Sequence, residues 1–142
     1  MKKSLGNIAV YLRVANEENN KEDSFVEYQK KEILNYLKKN CKDYKIEYFI
    51  DNGYSGVTHE RPKLKDMLNM VDNGSFNYVV AYSLDRLYRN ITDYLKIFDK
   101  VYFIFVKDNI DTESNKMFIP MMKIFDEEYI KFRKREKAMG EE

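Results

Sequence analysis

Cysteine and histidine are almost missing from this chain, and neither sign of charge prevails. Cys41 is the single cysteine, so no disulfide forms within the chain and nothing points to an oxidising compartment. His59 is the single histidine. With one of each, no Cys/His ligand set exists for a transition metal, and His59 reads as a solvated loop residue; neither a metal nor another cofactor is expected. No apolar run approaches the roughly 20 residues that a membrane span needs, and no segment has the form of a signal peptide. A cytosolic location without a membrane partner is the expectation. Lys and Arg number 25 against 24 Asp and Glu, for a net charge of +1. Affinity for DNA comes largely from neutralising phosphates, so any nucleic-acid contact here must arise from clustered charge rather than from the total.

What remains is enough for one core. The 142 residues fit a single α/β domain, and 44% hydrophobic with 35% charged residues suits a globular chain rather than a disordered one. Ile8 to Val14 is a short apolar run rich in β-branched and aromatic residues, which predicts a buried strand. After a polar loop, Ser24-Phe25-Val26-Glu27 has the form of a capping box. Val26, Ile33 and Leu37 continue at helical spacing to about Asn40. Ile46 to Ile50 predicts a second strand, closed by the turn residues Asp51-Asn52-Gly53.

Pro62 opens a second helix, Leu64, Met67, Leu68 and Val71 give it an apolar stripe, and Asn73-Gly74 stops it. Tyr78 to Tyr82 and Val101 to Val106 predict further strands, with a short helix over Ile91 to Phe98 between them. Strands alternating with helices imply a mostly parallel sheet of four to five strands flanked by helices. From about Lys116 to Lys137 the pattern is one long helix, with Pro120 in its first turn or kinking it. Phe118, Met121, Phe125 and Phe132 lie roughly on one side, widened by Met117, Met122 and Ile124. So wide a face packs on the core or on a partner subunit.

Ligands of open α/β sheets sit beyond the carboxyl ends of the strands. Here those ends are polar: Arg13 on the first strand, Asp51 on the second, and Asp85-Arg86-Leu87-Tyr88-Arg89 after the third, with Ser55-Gly56 and Arg61 between. Four guanidinium groups, from Arg13, Arg61, Arg86 and Arg89, would converge on one crevice. Guanidinium forks bind phosphate bidentately and stabilise charge on a phosphoryl group under attack. On the residues alone, the competing reading is a set of surface ion-pair partners.

Taken in order, Tyr11-Leu12-Arg13-Val14, Gln29, Asp51 with Ser55-Gly56, Arg61-Pro62 and Asp85-Arg86-Leu87-Tyr88-Arg89 resemble the catalytic domain of the serine site-specific recombinases, the resolvase/invertase family. The long loop before the first helix is similar to the large serine recombinases. The resemblance implies a DNA partner, no metal, and attack by a serine that leaves a 5′-phosphoserine link to DNA. It implies that Arg13, Arg61, Arg86 and Arg89 hold the phosphate and stabilise the transition state, with Asp51 and Asp85 as supporting carboxylates and Gln29 as a positioning amide. Ser55 and the basic run Arg133, Lys134 and Arg135 would contact DNA, although that run also reads as a solvated helix end. The long final helix would build a homodimer or tetramer. Family members continue into a separate DNA-binding domain, whereas this chain ends soon after the basic run, so a catalytic domain without one is expected.

The pattern breaks at its centre. The family reads Arg-Val-Ser where this chain reads Arg13-Val14-Ala15, and a methyl group cannot attack phosphorus. Asn19 stands where glutamine is common, Ser83 where many members carry lysine, and Glu127 where arginine is expected. Replacing the serine deliberately would leave the other positions intact; natural loss would erode several together, and these three departures favour loss. Two functions follow: a recombinase domain lacking its nucleophile, or a pseudo-recombinase that binds DNA or modulates a relative by dimerising. A third reading, a phosphoacceptor receiver built on Asp51, Ser83 and Lys107, conflicts with Arg13 standing where such domains place acidic residues.

Overall fold

Strands and helices alternate along most of the chain. The computed structural model describes residues 2–15, 22–54, 61–83 and 99–140. The elements are β1 (Lys3–Ala15), α1 (Glu22–Asn40), β2 (Cys41–Tyr54), α2 (Pro62–Asp72), β3 (Tyr78–Ala81), β4 (Tyr102–Phe105), β5 (Ile110–Asp111) and α3 (Phe118–Gly140). The sheet order is β2-β1-β3-β4-β5. The first three pairings are parallel and β4–β5 is antiparallel. After β1 the chain steps outward to β2, then crosses back to β3 on the other side. That reversal opens a crevice at the carboxyl ends of β1 and β3.

Alternation of side chains along each strand divides the core in two. On one face Leu5, Ile8, Val10 and Leu12 of β1 meet Val26, Ile33 and Leu37 of α1, together with Tyr78, Val80 and Ile104. On the other, Ala9 and Tyr11 meet Leu64, Met67 and Val71 of α2, with Phe49, Val79, Ala81, Phe103 and Phe105. Each Val, Leu, Ile, Met or Phe among them contributes about 1.5–3 kcal/mol by leaving water. Because helices cover both faces, the central strands read as continuous apolar runs rather than as alternating ones. Asn73 and Gly74 close α2 as their chemistry predicts: Gly74 adopts φ +81 and donates to Val71 O, and Ser75 N donates to Met70 O.

Several expectations are corrected. β1 and β2 are longer than their apolar runs, since pairing continues through polar positions from Lys3↔Cys41 to Ala15↔Tyr54. Backbone hydrogen bonds need no apolar side chain. Asp51 is therefore not a turn residue but sits inside β2, opposite Arg13. α1 begins at Glu22, so Ser24 is already helical rather than its cap. The two-residue β5 has no sequence signature of its own. The helix expected over Ile91 to Phe98 lies outside the described residues. α3 starts at Phe118, which puts Pro120 in the first turn, where a missing N–H costs nothing. The single wide stripe expected on α3 is split. Phe118, Ile119 and Met122 pack on the core, while Met117, Met121, Ile124 and Phe132 are exposed. Among the described residues no helix is long and apolar enough to cross a membrane.

Candidate active site

At the carboxyl end of the sheet, β1 and β2 bring Arg13 and Asp51 side by side as register partners. Asp51 is 1% exposed. A carboxylate so deep needs donors, and among the described residues three reach it. The Tyr11 hydroxyl donates to Oδ2 at 2.9 Å, the Leu64 amide donates to the same oxygen at 3.0 Å, and the Lys63 amide donates to Oδ1 at 3.0 Å.

The two amides belong to the first turn of α2. That helix has Arg61 as its N-cap residue, without a side-chain cap bond, and no acid in its first turn. Asp51 supplies from another strand what local sequence does not, a negative group on the free N–H end of the helix.

Arg13 is buried and Arg61 is partly buried. Both bear on the Tyr11 hydroxyl. Burial, the Asp51 charge and the hydrogen bond to Asp51 push the Tyr11 phenol well above its ordinary value of 10.0, while the charges of Arg61 and Arg13 pull against that rise. Two guanidinium groups, one carboxylate and one phenol thus share a field at the sheet's edge. Gln29 reaches the same strand end from α1: its Nε2 donates to Arg13 O at 3.0 Å, and the side chain is fully buried. Its Oε1 has no hydrogen-bond partner among the described residues. Ala15 is the last residue of β1, with a register shift between Val14 and Ala15 that interrupts the ladder there.

Of the residues singled out by sequence, Arg13, Arg61, Asp51 and Gln29 come together, and the backbone of Ala15 ends the strand that carries Arg13. Ser55, Asp85, Arg86 and Arg89 lie outside the described residues, as does the side chain of Arg133. Lys134 and Arg135 are exposed on α3. Ser83 is buried just beyond β3. Asp51, the residue on which the receiver reading would place a phosphoryl group, is buried and accepts from three donors among the described residues. Tyr11 is the site residue that sequence reasoning passed over. Its signal was present: two residues before Arg13, it shares that residue's face of β1, and a buried phenol requires an acceptor.

A mostly parallel sheet reversing at β1 and β3, with Arg13 and Arg61 near the carboxyl ends of its strands, defines an α/β domain. Residues 8–142 match the family model "Resolvase, N terminal domain", and the chain belongs to that family. It is 31% identical over 77 residues to the transposon Tn917 resolvase of Enterococcus faecalis, a stretch covering 51% of this chain and 41% of that protein. A Bacillus subtilis relative is 32% identical over 94 residues, covering 66% of this chain but 18% of its own length. The chain thus spans less than half of each of these relatives. Among solved structures, the N-terminal catalytic domain of TP901-1 integrase superposes with a TM-score of 0.73 at 26% identity, covering 89% of this chain and 98% of that one. A resolvase family site-specific recombinase from Streptococcus pneumoniae has the same fold, with a TM-score of 0.72 at 24% identity, covering 95% and 97%.

Proposed function

We propose that this chain is a serine recombinase catalytic domain of the large serine recombinase type, shaped to hold a DNA phosphodiester but lacking its nucleophile at Ala15. The observation that carries the reading is the meeting of Arg13 and Arg61 around the Tyr11–Asp51 pair at the end of the strand that finishes in Ala15. Guanidinium groups held in place beforehand lower the cost of building negative charge on phosphorus, because no reorganisation is needed when the charge develops. Arg86 and Arg89 complete the phosphate grip, with Asp85 orienting them; Gln29 orients the end of β1. Ser55, Arg133, Lys134 and Arg135 contact the DNA to either side. The protein works in the cytosol, needs no metal, and self-associates through the exposed Met117, Met121, Ile124 and Phe132 of the α3 region.

In the serine enzymes the hydroxyl oxygen bonds to phosphorus, the 3′ oxygen leaves with a proton, and a phosphoserine ester joins protein to DNA. Ala15 offers no oxygen for the first bond. Restoring it tests the reading directly. Ala15→Ser, incubated with a pool of randomised duplexes, is expected to yield a protein–DNA adduct that survives denaturation, absent with Ala15. A second reading has its own support in Ser83, buried beside the crevice where many members of the family carry lysine. Under it the chain is a natural pseudo-recombinase acting through DNA binding or dimerisation. Ala15→Ser that forms no adduct, yet still dimerises and binds duplex, favours this second reading.

A further inference from the structure

A phenylalanine would fill the place of Tyr11 in the core as well as tyrosine does, so its hydroxyl calls for a reason. The ring is fully buried on the α2 face of the sheet, and the hydroxyl donates to Asp51 Oδ2 at 2.9 Å. That carboxylate in turn holds the Lys63 and Leu64 amides at 3.0 Å each. Arg61 stands immediately before this capped turn, at φ −137 and ψ 77. Its backbone is confined by Pro62, which narrows the conformations of the residue before it, and the turn that follows Pro62 is held by the cap. The two amides hold the carboxylate only to α2 itself. The phenol provides a third anchor from a central strand, and so ties the start of α2 to β1. Burial and the Asp51 charge keep the proton on the phenol, so the donor is present throughout the neutral range.

We infer that Tyr11 is a positioning residue that fixes Arg61 through Asp51, so that the Arg61 guanidinium meets a DNA phosphate in one place. This rests on the DNA-phosphate reading proposed above. The native chain, Tyr11→Phe, Arg61→Gln and the double variant are titrated with a short DNA duplex over a range of salt concentrations. Each phosphate contact contributes about one unit to the slope of log affinity against log salt. Tyr11→Phe and Arg61→Gln are each expected to lower that slope by about one unit and weaken binding about tenfold, with no further loss in the double variant. A hydroxyl that merely supports the fold would lower Tm and leave the slope alone.

A native slope in Tyr11→Phe beside a lowered one in Arg61→Gln overturns the inference and leaves the DNA reading standing. A native slope in Arg61→Gln overturns both. Should Tyr11→Phe not fold, Asp51→Asn serves in its place: it keeps the side chain's volume, removes one of the two acceptor oxygens, and is expected to lower the slope by about one unit. A native slope there overturns the inference, and so does failure of both variants to fold, because the link would then serve the fold rather than the arginine.

Discussion

Asp51 shows what a single acidic residue does when it leaves the surface. Its three donors are a phenol and two helix amides, and losing the carboxylate strands all of them at once. Asp51→Ala is expected to lower unfolding free energy by about 3 kcal/mol, combining a lost helix cap with lost charge-assisted bonds. Urea denaturation measures it, and a loss under about 1 kcal/mol would show the cap to be dispensable.

The buried phenols make a separate prediction about pH. Burial raises Tyr78 to about 12 and raises Tyr11 further, from ordinary values of 10.0. The folded state therefore binds protons that the unfolded chain releases above about pH 10, and stability must fall as pH rises past that point. Each phenol contributes a slope of at most about 1.4 kcal/mol per pH unit. Tyr78→Phe should flatten the alkaline limb between about pH 10 and 12, read by thermal melts across that range. At this scale the sequence is half legible. Arg13, Arg61 and Asp51 announce themselves as charges at strand ends and before a proline, whereas the link through Tyr11 depends on a register between β1 and β2 that no local pattern encodes.

Among elements, β1 is the one on which the others are hung, and its conformation is special at one point. Gly6 adopts φ +75, and a Cβ there would lie 2.9 Å from Asn77 Oδ1, the acceptor of the Asn7 amide. Gly74, after α2, has a similar φ of +81 but nothing within 4 Å. The pair separates backbone strain from crowding. Gly74→Ala should cost about 1 kcal/mol, the penalty of the left-handed region alone, and Gly6→Ala should cost more because Asn77 must also move. Equal losses in chemical denaturation would remove the steric part of this account. The apolar runs of β1, β3 and β4 and the stripe of α2 are visible in sequence because burial selects their residues. The ends of β1 and β2, the two-residue β5 and the start of α1 are not, since they are fixed by pairing or by a boundary without a unique residue signature.

The whole molecule joins the resolvase family through a sheet whose order turns at β1 and β3, with the candidate site at that turn. On α3, Met121, Ile124 and Phe132 leave an apolar strip at 49%, 60% and 54% exposure. If self-association uses this strip, Ile124→Glu should shift sedimentation to the monomer with the melting temperature unchanged, because the residue is not in the core. A native oligomer in that variant would move the interface elsewhere. Seen at this scale, a net charge of +1 and a DNA ligand are compatible only if a few guanidinium groups do most of the holding.

Duplex affinity at fixed salt, compared between Arg13→Gln and Lys45→Gln, tests that claim most directly. Both changes remove one positive charge, but Lys45 is exposed toward the opposite end of the sheet, paired with Asn7. The account predicts about a tenfold loss for Arg13→Gln, alike on every duplex sequence, and almost none for Lys45→Gln. Equal losses from the two would contradict it, because the charge would then act by its sum and not by its place.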